Sequence, residues 1–247
     1  MKYINRIDII ILIFISITAY SQIDYNLNQS ILVENNIKQL NQTYENTIGE
    51  KNNYISGRLN REYSLSKYNH PYYTENEWYK GILFYDTLQY PVEAIKYDIY
   101  QDRILYLNRI YNNAYPITIN NLVVKEFIID TNRFIYKSDF GKKTNSIFKP
   151  GYYEILYLGN TSLYMRWEKY KKIDNSARSY EYKSNSYFAL YKDGKYWKFK
   201  NELKLRILLR DQKSEIKTYL KKNRPYYKDF KINAQNLVKF YDSLTDN

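Results

Sequence analysis

Paired carboxylates are the side chains in this 247-residue sequence that could carry out hydrolytic chemistry. A glycosidase needs two carboxyl groups about 5 to 9.5 Å apart across a cleft. Asp98 and Asp102 lie in YDIYQDR, where the first would end a strand and the second would occupy a tight turn. Since Asp commonly accepts backbone N–H bonds in turns, we interpret both as turn residues and keep a carboxylate-dependent hydrolase as the alternative. Further carboxylates precede them in the first strands: Glu75, Glu77, Asp86 and Glu93.

The remaining catalytic groups are scarce. The chain has one His, no Cys and seven Gly, which argues against a thiol nucleophile, a multi-histidine zinc centre and a phosphate-cradling loop. His70 precedes a proline in YNHPYY, and we interpret it as an exposed loop histidine. No residue is assigned a catalytic role, and neither a cofactor nor a metal is predicted.

Basic residues are concentrated near the C-terminus. The formal net charge is +12, and residues 192–231 contain 14 Lys and Arg against five Asp and Glu. Helical spacing places Lys213, Lys217 and Lys221 on one stripe, with Arg210 and Arg224 near its ends. This stripe is either a solvated face or a docking surface for an anionic envelope component, such as lipopolysaccharide or an acidic polysaccharide. Another envelope protein is a further possible partner.

The elements that must position these residues are mostly short strands. Trp78 opens a series of β-type runs separated by turn-forming residues, typical of an antiparallel meander. Two hairpins are predicted, with turns at Gly159-Asn160 and at Asp193-Gly194. In the first hairpin, Leu163, Met165 and Trp167 alternate with outward-facing residues, so we expect them to face the core.

Helical periodicity is found at both ends of the chain. Apolar residues over 30–48 predict an amphipathic helix, and the segment after residue 200 predicts a helical cap. The predicted fold is therefore α+β: an N-terminal helix, a large antiparallel β-meander and a C-terminal helical cap. The predicted boundaries are 1–21 for a signal peptide, 22–76 for the helix and a connecting arm, 77–200 for the β domain and 201–247 for the basic helices.

The first 21 residues have the pattern of a signal peptide. Lys2 and Arg6 precede the apolar run IIILIFISI, which is too short for a span of about 20 residues. The triplet Ala19-Tyr20-Ser21 follows, and signal peptidase accepts such a small-x-small site. Cleavage would separate Ser21 from Gln22, which indicates an exported protein in the periplasm or secreted, without a membrane span after processing.

Three stretches of the chain resemble a family of secreted proteins, without assigned activity, that is common in Bacteroidota. They are WYKG…YPVEAIKYDIYQDRILYL, YYEILYLGNTSLYMRW and KSEIKTYLKKNRPYYKDF…LVKFYDSL. The AYSQ junction is also similar to signal cleavage sites in that phylum. The resemblance implies export and this architecture, and it brings no catalytic residues with it. In the same context, Asp86-Thr87-Leu88 resembles an O-glycan acceptor, with Thr87 as the modified residue.

These observations favour an exported, non-catalytic envelope protein that serves as a binding or assembly module. The alternative is a glycan or peptidoglycan hydrolase that uses carboxylates of the first strands. A nucleic-acid partner is not expected, because the chain is predicted to be exported and has no nucleic-acid motif.

Processing of the N-terminus can be tested directly. We expect the native protein to begin at Gln22, since the apolar run and the small residues before it fit signal-peptidase cleavage. N-terminal peptide mass spectrometry that allows for cyclised Gln22 measures this. Intact Met1–Ser21 on protein from the cytosolic fraction would contradict the predicted export.

Overall fold

The computed structural model describes residue 39 and the ranges 58–60, 69–85, 88–110, 113–119, 124–140, 147–176, 179–223 and 229–245. Every strand and helix reported below lies within Tyr54–Asn247. The predicted N-terminal helix lies outside the described residues, apart from Gln39. The signal junction at Ser21 and Gln22, the acceptor Thr87 and Arg224 also lie outside them.

Thirteen strands and three α-helices make up this part of the chain. The strands are β1 (Arg58–Leu59), β2 (Tyr79–Tyr85), β3 (Leu88–Asp98), β4 (Arg103–Ile110), β5 (Asn113–Thr118), β6 (Val124–Ile129), β7 (Asn132–Lys137), β8 (Gly151–Tyr157), β9 (Ser162–Arg166), β10 (Lys169–Asp174), β11 (Ser179–Ser184), β12 (Tyr187–Lys192) and β13 (Lys195–Phe199). The helices are α1 (Glu202–Leu208), α2 (Lys213–Asn223) and α3 (Phe230–Thr245), with a 3-10 turn at Arg210–Gln212 between α1 and α2.

The prediction of an α+β fold is wrong, because the described chain is mainly an antiparallel sheet. Eleven strands form one sheet in the order β1-β5-β4-β3-β2-β6-β7-β8-β9-β12-β13, and β10 and β11 form a separate pair. The described helices follow the last strand. The sheet is also not one simple meander. Since β2 pairs with β3 on one side and with β6 on the other, the chain returns from β5 to the free edge of β2.

The short-range predictions for strands and hairpins are confirmed. The turn between β12 and β13 has φ values of 52° at Asp193 and 72° at Gly194. Positive φ at both central residues is the geometry of the type I′ hairpin turn. The other predicted turn, at Gly159-Asn160, joins β8 to β9, which pair antiparallel.

A row of directly opposed residues crosses eight strands on one face of the sheet. Its members, from β3 to β13, are Tyr90, Leu83, Phe127, Phe134, Glu154, Met165, Phe188 and Phe199. All are buried, and the row contains one charged residue, Glu154. Since opposed residues in a sheet point to the same side, this row defines the inner face.

The sheet curls strongly around this inner face. Strands β3 and β8 are separated by three others, which in a flat sheet would put them roughly 19 Å apart at about 4.8 Å per strand. The ring centroids of Tyr97 on β3 and Tyr152 on β8 are nevertheless 5.9 Å apart. Tyr97 also packs edge-on against Phe127 and Phe134. The curl therefore encloses an aromatic core that the strand order alone does not imply.

The three helices cover the other half of the inner face. Met165, Phe188 and Phe199 pack in one cluster with buried residues of the helices. The helical members are Leu205, Leu209, Ile216, Ala234, Leu237, Val238 and Tyr241. The predicted core position is confirmed for Leu163 and Met165, which are buried in this cluster, whereas Trp167 packs against it only half-buried. The expectation that the alternating residues face outward is wrong, since Tyr164 and Arg166 are buried as well.

Candidate functional site

The two carboxylates considered for catalysis are engaged in structural contacts. The fully buried Asp98 accepts the backbone N–H groups of Tyr100 and Gln101 at 3.1 and 3.0 Å, and Arg103 Nε at 3.1 Å. Burial raises the pKa of Asp98, while these donors act in the opposite direction. Its role as the carboxylate that organises the β3–β4 turn matches the interpretation from sequence.

Asp102 closes the curled sheet. It accepts the hydroxyl of Tyr97 at 2.6 Å and Arg166 Nη1 of β9 at 2.7 Å, so the β3–β4 turn is bonded to a strand far away in the sheet order. Burial and the charge of Asp102 raise the pKa of Tyr97, which keeps its phenol a neutral donor. Gly151 has φ +147°, and a Cβ there would collide with the Asp102 carboxylate and the Arg166 guanidinium. These contacts account for Asp102 without a substrate.

His70 is buried, so its interpretation as an exposed loop histidine is wrong. It is 5% exposed, and its Nδ1 accepts the Tyr72 backbone N–H at 3.2 Å. The segment is held because the Ile99 N–H donates to the Pro71 carbonyl and the Tyr73 N–H donates to the Tyr97 carbonyl. The X-Pro sequence favours this extended backbone, which pairs with the end of β3.

A groove lies between α1 and α2 and has a distinct chemical character. Its volume is about 400 Å³, within the range of ligand sites, about 300–1,000 Å³. Four basic side chains and three aliphatic ones line it: Arg206, Arg210, Lys213, Lys217, Leu203, Ile207 and Ile216. We call it the basic groove.

Local sequence explains the groove's walls. Asn201 caps α1 by accepting the Lys204 N–H at 3.0 Å, as an N-terminal Asn commonly does. Leu205 and Leu209 are fully buried under α1. Leu203 and Ile207, one helical turn apart, are 67% and 47% exposed. Helix α1 therefore carries aliphatic side chains on its exposed side as well as on its buried side, which a helix serving only the core does not need.

Asp211 fixes the turn that joins the two walls. Its carboxylate accepts Lys192 Nζ of β12 at 3.1 Å and the hydroxyl of Tyr241 in α3. Burial acts to raise the pKa of Asp211, but the hydrogen bonds from Tyr241 and Lys192 outweigh it and hold the pKa below its ordinary value. This acid therefore pairs with Lys192, and no ion pair links it to a described cation of the groove.

The cations of the groove have few counter-ions. Arg206 pairs with Glu202 at 4.0 Å, the limit of an ion pair. Among the residues that the structure describes, Arg210, Lys213 and Lys217 form no ion pair and are exposed. The groove therefore combines concentrated positive charge with apolar surface, an arrangement that suits a ligand with a negative group.

The structure brings together part of the predicted basic stripe. Arg210, Lys213 and Lys217 line the groove, whereas the exposed Lys221 is not among its lining residues. Sequence reasoning missed Arg206, Leu203 and Ile207. The signal in the sequence was ELKLRILL, which has more leucine and isoleucine residues than one face of a helix can hold.

The described ranges offer no group of three or more metal-ligating side chains in one place. None of the helices that the structure describes is both long and apolar enough to cross a membrane. No family model matches the chain, and neither the curated proteins nor the solved structures contain a match. The resemblance to secreted Bacteroidota proteins therefore stays a prediction, and the site is interpreted from its own chemistry.

The buried His70 makes the pH dependence of stability predictable. Burial and the charges of Lys169 and Lys96 lower the pKa of His70, against a smaller opposing effect of Glu75. The unfolded chain therefore takes up a proton near pH 6.5 that the folded protein resists. The contribution of His70 to stability should be constant above this pH and fall as the pH decreases from about 6.5 towards the lower folded-state pKa.

Because the chain has a single His, the loss between pH 7 and 5 should be traceable to it. In urea unfolding across this range, His70→Asn should flatten the dependence, since Asn keeps an acceptor for the Tyr72 N–H and does not titrate. An unchanged slope in this variant would show that His70 is not the titrating group.

Proposed function

We propose that this protein is an exported, non-catalytic binding module of the cell envelope that docks through the basic groove on an anionic envelope component. The observation that carries the proposal is the convergence of Arg206, Arg210, Lys213 and Lys217 on one groove with a single distant counter-ion among the described residues. Phosphates of lipopolysaccharide or carboxylates of an acidic polysaccharide supply the complementary charge.

The arrangement of the cations supports an extended or multivalent anion. Arginine can bind a phosphate or carboxylate through two parallel N–H donors, and lysine adds a mobile point charge. Each exposed pair contributes little by itself, about 0.2–1 kcal/mol, so several must act together. A repetitive polyanion engages them together, which favours an envelope polymer or surface over a small metabolite.

No comparable observation supports the alternative function, a hydrolase. Asp98 is buried and bonded to Arg103, and Asp102 is bonded to Arg166 and Tyr97. These contacts occupy both oxygens of Asp98 and Oδ1 of Asp102, atoms that a general acid or nucleophile would present to a substrate. The groove, in contrast, presents its cations to solvent.

The proposal predicts salt-dependent retention on immobilised lipopolysaccharide. Neutralising the groove with Arg210→Gln/Lys213→Gln/Lys217→Gln should weaken binding by roughly tenfold or more, as expected for three exposed pairs. Binding of the parent should fall steeply with salt, because exposed charges are screened over about 8 Å at physiological ionic strength. A soluble acidic polysaccharide added as competitor tests whether polysaccharide charge alone suffices.

The matched control is Lys172→Gln/Lys195→Gln/Lys239→Gln, which removes the same charge at exposed positions outside the groove. It should retain most of the parent's binding. Equal retention of the parent and both variants would refute the groove as the docking site. Equal loss in both variants would show that net charge, rather than the groove, determines retention.

A further inference from the structure

Exposed aliphatic side chains stand among the cations of the basic groove, and anion binding does not explain them. Leu203 is 67% exposed and Ile207 is 47% exposed, while the buried Ile216 of α2 lines the groove beside them. An acidic polysaccharide would satisfy the Arg and Lys side chains and leave this apolar surface in water. The groove therefore matches a ligand that has both an anionic group and a hydrocarbon part.

We propose that the groove docks on an anionic lipid bilayer, with Leu203 and Ile207 inserted at the level of the first acyl carbons and the basic side chains bound to the lipid phosphates. The inference rests on the proposed function, since it uses the same cations. It adds the chemical class of the partner, an anionic amphiphile in a lipid surface.

The geometry of α1 fits a helix that lies in the membrane interface. Leu203 and Ile207 are one turn apart and form a short apolar ridge. On the adjacent stripe, Arg206 follows Leu203 by three residues and Arg210 follows Ile207 by three residues. Interfacial helices combine an apolar face with flanking Lys and Arg in this way. Arg and Lys can bury their aliphatic stems against the acyl region while the charged ends reach the phosphates.

Contacts of the helical segment with the sheet and with α3 fix this ridge in place. Leu205 and Leu209 are fully buried, and Asp211 holds the following turn through Lys192 and Tyr241. Helix α1 therefore cannot rotate to hide Leu203 and Ile207 without removing its buried leucines from the core. A ridge that is already held in position binds at a smaller ordering cost, as pre-organised surfaces do.

The test is co-sedimentation with vesicles of phosphatidylglycerol and phosphatidylcholine, compared with vesicles of phosphatidylcholine alone. The parent should sediment with the anionic vesicles and should not sediment with the neutral ones. Leu203→Ser/Ile207→Ser should weaken partitioning by roughly tenfold for each side chain, the scale of one buried aliphatic group. The matched control is Leu88→Ser/Ile173→Ser, which changes residues that are 55% and 69% exposed outside the groove and should bind like the parent.

Binding of soluble polyphosphate separates this inference from the function it rests on. The serine variant of the groove should bind polyphosphate like the parent, whereas the glutamine variant should lose both polyphosphate and vesicles. Parent protein that binds polyphosphate but not anionic vesicles, or a groove serine variant that sediments like the parent, would overturn the lipid inference and leave the anion site standing. Failure of the parent to bind polyphosphate and vesicles alike would refute the proposed function as well. Thermal melts should show that the exposed serine substitutions leave folding intact.

Discussion

The structure depends on one buried carboxylate, Glu154, at the middle of an otherwise uncharged row across the sheet. It is 2% exposed and accepts Lys231 Nζ of α3 and the indole N–H of Trp167, each at 2.6 Å. The hydroxyl of Tyr73, from the segment before β2, donates to it at 3.4 Å. A buried charge is tolerated only when it is paired and hydrogen-bonded, so Glu154 requires the helical segment, the end of β9 and the pre-β2 segment to meet at one point.

This requirement connects the core to the candidate site. Lys231 lies in the first turn of α3, and α3 contributes to the cluster that buries Leu205, Leu209 and Ile216 beneath the groove. The Glu154–Lys231 pair therefore fixes α3, and α3 in turn supports the helices that carry the groove's cations. A second constraint, the bond between Asp102 and Arg166, holds the sheet in its curled form. The groove thus stands on a scaffold fixed at two buried polar points.

Local signals in the sequence predicted the strands, both hairpins and the C-terminal helices, because turn chemistry and periodicity act over a few residues. The Asp193-Gly194 turn is an example. The curl of the sheet could not be predicted, since it arises from contacts between strands that are distant in sheet order, such as Tyr97 with Tyr152. The basic stripe was visible as a spacing of lysines, but its partner wall in α1 was missed, because the sequence alone does not show which apolar residues of this helix are buried. The structure buries Leu205 and Leu209 and leaves Leu203 and Ile207 exposed. Burial of His70 was missed because the segment around it is polar. Its hydrogen bonds are made with the end of β3 and with Lys169, which are distant in sequence.

The most direct test of the central claim, that the buried Glu154–Lys231 pair locks the helical segment to the sheet, is a double-mutant cycle in urea unfolding. Lys231→Met alone leaves a buried carboxylate without its cation and should lower the free energy of unfolding by about 3–5 kcal/mol. Adding Glu154→Gln removes that charge and keeps an acceptor for the Trp167 N–H, so the double variant should regain more than half of the loss. If the two substitutions instead add to within about 0.5 kcal/mol, as independent sites do, Glu154 and Lys231 are not coupled and the helices are held by apolar packing alone.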